Sequence, residues 1–261
     1  MNLIKLNNLI QKNLLKDIIY IQTLPSTNKF AKENNPCDDT LFIASNQTMG
    51  RGRYQRVWES EADENITITL VKSFKLRISD VHLINFYTSF IVYSVLNNIL
   101  SDRQRFFLSL KWPNDILLNG KKISGILTEL LDLNSINKKF IIGIGINVNQ
   151  EKFSEELYKK ATSLKISTGV SFNIPDIIFS IVTEFYKNLE LISNKTNLLK
   201  LWKSNTALID KEILFQENNT KIPINGKVLD IQQDGGIKIE INNESKTKKI
   251  AVYYSGEINF I

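Results

Sequence analysis

The pair Asn119-Gly120 sits between two apolar runs in LSLKWPNDILLNGKKISGILTELL (108–131), and it is the strongest constraint this sequence places on its fold. Asn-Gly supplies the positive φ of a tight hairpin turn, so the flanking runs become antiparallel neighbours. The surrounding strands follow no regular strand–helix alternation. DIIYIQTL (17–24), TLFIASNQ (40–47), NITITLVKSF (65–74) and FIIGIGINVN (140–149) are rich in β-branched and aromatic residues. Ser26, Thr27 and Asn28 follow Pro25 as helix N-cap chemistry. Ile84, Tyr87, Ile91, Val95 and Ile99 recur at helical spacing after Asp80, and Ile178, Ile181, Phe185, Leu189 and Ile192 do so after Pro175. The prediction is an α+β chain, with one mixed β-sheet and helices packed on it. After about residue 207 the pattern changes. ILF, KVLDIQQDGGIKIEI and TKKIAVYY are short strands with Asn, Asp and Gly turns, and they predict a small barrel-like β domain. The expected division is 1–206 and 207–261.

Composition narrows the chemistry. Hydrophobic residues make up 43% of the 261, enough for a substantial core. The net charge of +6 favours acidic partners without choosing among nucleotides, nucleic acid and acidic carrier proteins. A single cysteine, Cys37, and a single histidine, His82, exclude an intrachain disulfide, a cysteine zinc cluster and an all-histidine metal site. The N-terminus lacks a signal-peptide core and no 18-residue apolar run occurs, so the expected location is cytoplasmic, with no membrane span.

The stretch MGRGRYQRVW (49–58) places Arg51, Arg53 and Arg56 close together, with Gly50 and Gly52 between them and Trp58 beyond. Guanidiniums that close repel one another, so the loop makes sense if an anion orders it. Arginine forks match carboxylate and phosphate oxygens in pairs, and glycine permits flexibility and close approach. A solvated turn or a nucleic-acid contact stays open. KWPND (111–115) is good turn chemistry. Asp115 is either a plain turn residue or a holder of magnesium, ribose or an amine beside phosphates. Lys122 is a solvated hairpin lysine or a ligand contact, with Ser124 and Gly125 leaving room beside it. GIGINVN (143–149) carries Gly143 and Gly145 but not the dinucleotide fingerprint; strand glycines imply a bulge or close backbone approach. Asn147 caps the strand or hydrogen-bonds a base or phosphate.

Together, STN, Q-x-x-GRGR-x-x-R-x-W, KWPND, K-x-x-G and GIGIN, in this order, resemble the biotin protein ligases. The resemblance covers 18–150 and extends more loosely to GEI (256–258). It implies a class II synthetase-like catalytic domain followed by an SH3-like β-barrel. It also implies a two-step reaction: biotin and ATP give biotinyl-5′-AMP and pyrophosphate, and a carrier lysine then displaces AMP. ATP, Mg2+ and biotin are the implied small molecules. The implied partner is the biotin carboxyl carrier domain of acetyl-CoA carboxylase or of another biotin-dependent carboxylase. Ser26, Thr27, Asn28 and Gln47 match biotin-binding positions. Arg51, Gly52 and Arg53 match the loop that folds over biotin and the phosphates. Arg56 and Trp58 match nucleotide positions, for the phosphates and adenine. Asp115 matches the acidic residue of the ATP and magnesium region, Lys122 the lysine beside the biotin carboxylate and α-phosphate, and Asn147 a nucleotide-side asparagine. On this reading Arg51, Arg53 and Lys122 carry catalysis by stabilising charge, with no side-chain nucleophile.

Three departures stand out. Thr67 and Thr69, after Asn65, replace a larger aromatic and a serine of the repressor-type relatives. Met49 stands where a small residue is usual. About 17 residues precede the first strand, where a helix-turn-helix needs two helices, so no operator binding is expected. An exposed sheet edge could pair two copies as a homodimer. Two readings compete: a lipoate or octanoyl transferring enzyme, and a nucleic-acid-binding module. The latter leaves KWPND and GIGIN without a purpose.

Overall fold

The computed structural model describes residues 3–132, 135–218, 220, 222–242 and 248–260. Seven strands form a mixed sheet: β1 (Asp17–Leu24), β2 (Thr40–Gln47), β3 (Asn65–Lys75), β4 (Leu108–Lys111), β5 (Asp115–Leu118), β6 (Lys121–Leu130) and β7 (Asn137–Asn147). Their order is β1-β2-β3-β7-β6-β5-β4. Only β1 and β2 pair in parallel, and the helix Thr27–Asn34 supplies the crossover that a parallel pair requires. Asn119 and Gly120 adopt the expected positive φ, 53° and 73°, and turn β5 into β6. A second hairpin folds β4 against β5 through Trp112–Asn114, at the KWPND turn.

Strand alternation decides which face does what. In β7 the run Ile-Gly-Ile-Gly-Ile-Asn sends Ile142, Ile144 and Ile146 into the main core. There they pack with Ile68, Leu70 and Ile126, beneath the helices His82–Ile99 and Ile174–Lys187. Gly143, Gly145 and Asn147 therefore belong to the opposite face. The helix Thr27–Asn34 covers one end of that face, where Ala31 packs on Phe42, Val71 and Ile141.

The helices differ from expectation at their ends. The first long helix begins at His82; Asp80 lies just outside and takes Arg77 and Lys195 as partners. The second ends at Lys187, with Ile192 in the separate short helix Glu190–Ser193. Helices Ile4–Gln11 and Lys195–Ser204 carried too many Asn and Lys residues to show a clear stripe.

The β-rich C-terminal region forms a separate five-stranded antiparallel sheet: β8 (Glu212–Gln216), β9 (Ile224–Ile231), β10 (Ile237–Asn242), β11 (Lys248–Tyr253) and β12 (Glu257–Phe260). Its order is β11-β10-β9-β8-β12. Its apolar face merges with the main core. Trp112 is buried and its Nε1 donates to Gly235 O at 2.9 Å, while its ring lies 6.4 Å from that of Phe215. Among the described residues no helix is long and apolar enough to cross a membrane.

Candidate active site

The open face of the large sheet carries one transverse row of cross-strand partners. Lys111 pairs with Asp115, Asp115 with Gly125, Gly125 with Gly145, and Gly145 with Thr67. The row runs from a cation and an anion onto bare backbone. Lys122 joins the same face although it is three residues from Gly125, which an uninterrupted strand forbids. The register between β5 and β6 shifts between Ile116 and Leu117, leaving Ile123 as the extra residue of a bulge. Ile123 enters the core, and Lys122 Nζ comes to 2.6 Å from Asp115 Oδ1. Burial lowers the Lys111 pKa, an effect opposed by Asp115 and reinforced by Lys122.

Trp58 lies on the glycines. A Cβ on Gly145 would meet Trp58 Cε2 at 2.6 Å, and one on Gly125 would meet Cζ3 at 3.2 Å. The ring therefore needs the absence of side chains beneath it. Lys122 Nζ sits 5.6 Å from the Trp58 ring centroid. The loop leading to Trp58 is a small hairpin and not the loose glycine loop its composition suggests. Trp58 N donates to Gly50 O at 2.8 Å, Gly52 N donates to Arg56 O at 2.7 Å, and Arg51 bridges Val57. Positive φ falls on Tyr54 and Gln55 and not on the two glycines. Gly50 is required sterically, since a Cβ there would meet Trp58 O at 2.5 Å.

The three arginines of this flap point to different partners. Arg51 is exposed. Arg53 stacks over Tyr54 at 4.9 Å and reaches Asn114 Oδ1 at 3.5 Å. Arg56 grips Glu257 of β12 with both terminal nitrogens, one bond measuring 2.6 Å. That pairing raises the Arg56 pKa and holds the Glu257 carboxyl below its ordinary value.

Ser26, Thr27 and Asn28 are buried at the start of the helix Thr27–Asn34. Ser26 occupies the N-cap position without making a side-chain capping bond. Thr27 N and Oγ1 both donate to Gln47 Oε1, at 2.7 and 3.1 Å. Asn28 is engaged by the protein itself. Its Nδ2 donates to Leu127 O at 3.1 Å and Glu129 Oε2 at 3.0 Å, and its Oδ1 accepts from Thr69 Oγ1 at 2.6 Å. It sits directly over Gly143, where a Cβ would meet Oδ1 at 2.4 Å. Thr67 Oγ1 donates to Ala44 O at 2.7 Å, so both departures on β3 serve internal bonds.

Four buried side-chain polar atoms lack a hydrogen-bond partner among the described residues: Trp58 Nε1, Asn147 Oδ1, Asp115 Oδ1, which is ion-paired with Lys122, and Thr183 Oγ1, which lies on the helix Ile174–Lys187 away from this site. Asn147 Nδ2 donates to Thr162 O at 3.0 Å, which fixes the amide and leaves its oxygen as a free acceptor. Buried orphans of this kind call for an explanation, and a ligand supplies one. Among the described residues no group of three or more His, Cys, Asp and Glu side chains could hold a metal ion. Asp115, the candidate metal residue, has Lys122 as its counter-ion.

Sequence reasoning passed over four residues that shape this site. Lys111 stands in KWPND, which was read for its aspartate. Asn114 in the same motif donates to Ile126 O at 2.7 Å and meets Arg53. Asn65 and Gln150 form a buried hub that holds the flap's root. Asn65 Oδ1 accepts from Val148 N and its Nδ2 donates to Ser60 and Gln150, while Gln150 Oε1 accepts from Glu61 N. No local signal marks that hub, because its members lie far apart in the chain.

Comparison with known proteins gives a consistent result. The profile of the biotin/lipoate A/B protein ligase family matches residues 19–147. The chain is 33% identical over 236 residues to the bifunctional ligase/repressor BirA of Bacillus subtilis, covering 88% of this chain and 71% of that protein. It is 34% identical over 140 residues to the biotin--[acetyl-CoA-carboxylase] ligase of Mycobacterium tuberculosis, covering 51% and 47%. The biotin protein ligase from Aquifex aeolicus in complex with biotin and ATP superposes with a TM-score of 0.77 at 26% identity, covering 95% of this chain and 100% of that one.

Proposed function

Since the chain belongs to the biotin/lipoate A/B protein ligase family, we infer that it is a biotin–carrier protein ligase. It activates biotin with ATP to biotinyl-5′-AMP and passes biotin to a lysine of a carrier protein, releasing AMP. The lipoate or octanoyl alternative is not favoured, since the Mycobacterium tuberculosis relative and the superposing Aquifex aeolicus structure are both named for biotin. The carrier assigned is the biotin carboxyl carrier domain of a biotin-dependent carboxylase. Neither operator DNA nor a second copy of the chain enters the chemistry. We set the division between the ligase domain, 1–206, and the C-terminal β unit, 207–261, just ahead of β8.

The observation that carries this reading is Lys122, turned by a bulge onto a bare-backbone platform beside Trp58. Joining a carboxylate to a triphosphate brings two anions together, and that repulsion must be offset. Lys122 and Arg53 are assigned to the biotin carboxylate and the α-phosphate, with Arg51 closing from the exposed side. Fixed cations there stabilise the charge that develops at phosphorus. Ser26, Thr27 and Gln47 are assigned to the ureido end of biotin, with Asn28 holding their helix on the sheet. Gly52 gives the flap backbone room to approach. Trp58 is assigned to cover the adenine and Asn147 Oδ1 to accept from its amino group, which answers that buried orphan. Arg56 is assigned to the phosphates once the flap shifts from Glu257. We treat magnesium as part of the substrate, MgATP: the described residues do not build a metal cage, and no step passes through one. The amide then forms without a covalent enzyme intermediate.

The test is direct. Purified protein with biotin, MgATP and an apo carrier domain should add one biotin to the carrier by mass spectrometry. Absence of both carrier modification and biotin-dependent pyrophosphate exchange would falsify the assignment.

A further inference from the structure

β5 pairs with β6 only as far as Gly125, and Asn114 takes both the N–H and the carbonyl of Ile126, so the edge of β6 has no strand neighbour on that side from Leu127 onward. A crevice of about 180 Å³ opens there. Phe86, Trp112 and Pro113 form one wall and Tyr254 of the C-terminal region forms another, with Arg53 and Leu127 also lining the space. Leu127 is the cross-strand partner of Gly143 on the site face, and Arg53 belongs to the flap. The crevice therefore meets the adenylation site at these two residues, while its outer rim is built by the second sheet.

We propose that this crevice is the channel by which the carrier's acceptor lysine reaches the biotinyl adenylate. The proposal rests on the ligase reading. A space of this volume has room for roughly six waters, enough for one extended alkylamine stem. Aromatic and prolyl walls match the apolar stem of lysine, and rings also accept the approach of its cationic head. Outside, the Asp234 carboxylate is held ionised by the Tyr254 hydroxyl at 2.6 Å and attracts the ammonium. Inside, burial and the Arg53 charge both favour the neutral amine, so the ammonium gives its proton to solvent as it enters. Burial lowers the His82 pKa, which disfavours a competing cation on that wall. The amine nitrogen then attacks the acyl carbon. The N–C amide bond forms, the C–O bond to the phosphate breaks, and its electron pair leaves on AMP; the second amine proton passes to solvent.

The experiment separates the two half-reactions. Thr128 lines the same crevice and lies outside the flap and the cationic row. In Thr128→Trp, biotin-dependent pyrophosphate exchange should persist. Single-turnover transfer from preloaded biotinyl-AMP to an apo biotin carboxyl carrier domain should fall on the order of 10²-fold, the cost of a misplaced nucleophile. Transfer to hydroxylamine, which is small enough to pass, should fall far less. In Tyr254→Ala, a change at an exposed residue, the carrier's KM should rise with exchange unaltered. Carrier transfer at the unsubstituted rate in Thr128→Trp, or a hydroxylamine rate that falls in step, overturns the channel. If Thr128→Trp loses exchange as well, an unchanged carrier KM in Tyr254→Ala overturns it. Absence of biotin-dependent exchange in the unsubstituted protein overturns the ligase reading instead.

Discussion

Arg56 in the flap and Glu257 in the last strand, 201 residues apart in sequence, are joined by two charge-assisted hydrogen bonds. The C-terminal sheet thus holds one edge of the flap that covers the candidate site. We expect Glu257→Gln to lower stability by about 1 kcal/mol or less, because both partners are more than a third exposed. Because Arg56 leaves Glu257 for the phosphates in the proposed reaction, the change should also lower the KM for MgATP, which pyrophosphate exchange can read. The pH dependence follows from the depressed Glu257 pKa. The pair contributes fully above the ordinary glutamate value of 4.5 and is lost as pH falls through the depressed value.

Lys122 and Asp115 should behave as a coupled unit. Lys122→Ala is expected to slow adenylation on the order of 10²–10³-fold, the usual cost of one well-placed electrostatic donor. Asp115→Asn should slow it less. The double substitution should be no worse than Lys122→Ala alone, since contacting charges do not add. Strict additivity in pyrophosphate exchange would show that the two act separately.

Gly145→Ala tests the platform beneath Trp58. The new methyl would stand 2.6 Å from Cε2 and 2.7 Å from Cζ2 of the indole. Overpacking of this kind costs about 1–3 kcal/mol, or it expels the ring. Tryptophan emission should change relative to the parent, and the KM for ATP should rise more than the KM for biotin.

Asn28→Ala separates a positioning role from direct ligand contact. The change removes the acceptor for the Thr69 hydroxyl, which is 0% exposed, and the donor to Leu127 O. Urea unfolding of the ligand-free protein should show a loss of about 1–3 kcal/mol. Unchanged stability with weakened biotin binding would place Asn28 against the ligand and not beneath its pocket.

Much of this architecture was legible because local chemistry and tertiary structure agree. Asn119-Gly120 marked its turn, the isoleucines of β7 marked the core face, and the short turn-rich strands marked the second sheet. The two strand glycines announced close approach; Asn28 is what approaches Gly143, and Trp58 is what approaches Gly145. Other features were hidden for identifiable reasons. A bulge is a register event between strands, so nothing around Ile123 in the linear sequence reveals that Lys122 changes face. Glu257 looks like an ordinary surface carboxylate until the chain brings Arg56 to it. Alternating glycines suggested a loose flap, yet backbone bonds closed by Trp58 and Gly52 give it shape. Helix starts misled where a capping residue such as Asp80 found side-chain partners instead.

The supernumerary residue in β6 bears on how this enzyme could be re-engineered. Hairpin tips usually tolerate added or removed residues, because the strands beneath keep their pairing. Here the count between Gly120 and Ser124 decides which surface an ammonium emerges from. Trimming a single position would leave a respectable sheet and swap inside for outside along the edge. A scaffold borrowed from this chain must therefore preserve spacing at that tip before it preserves any side chain there.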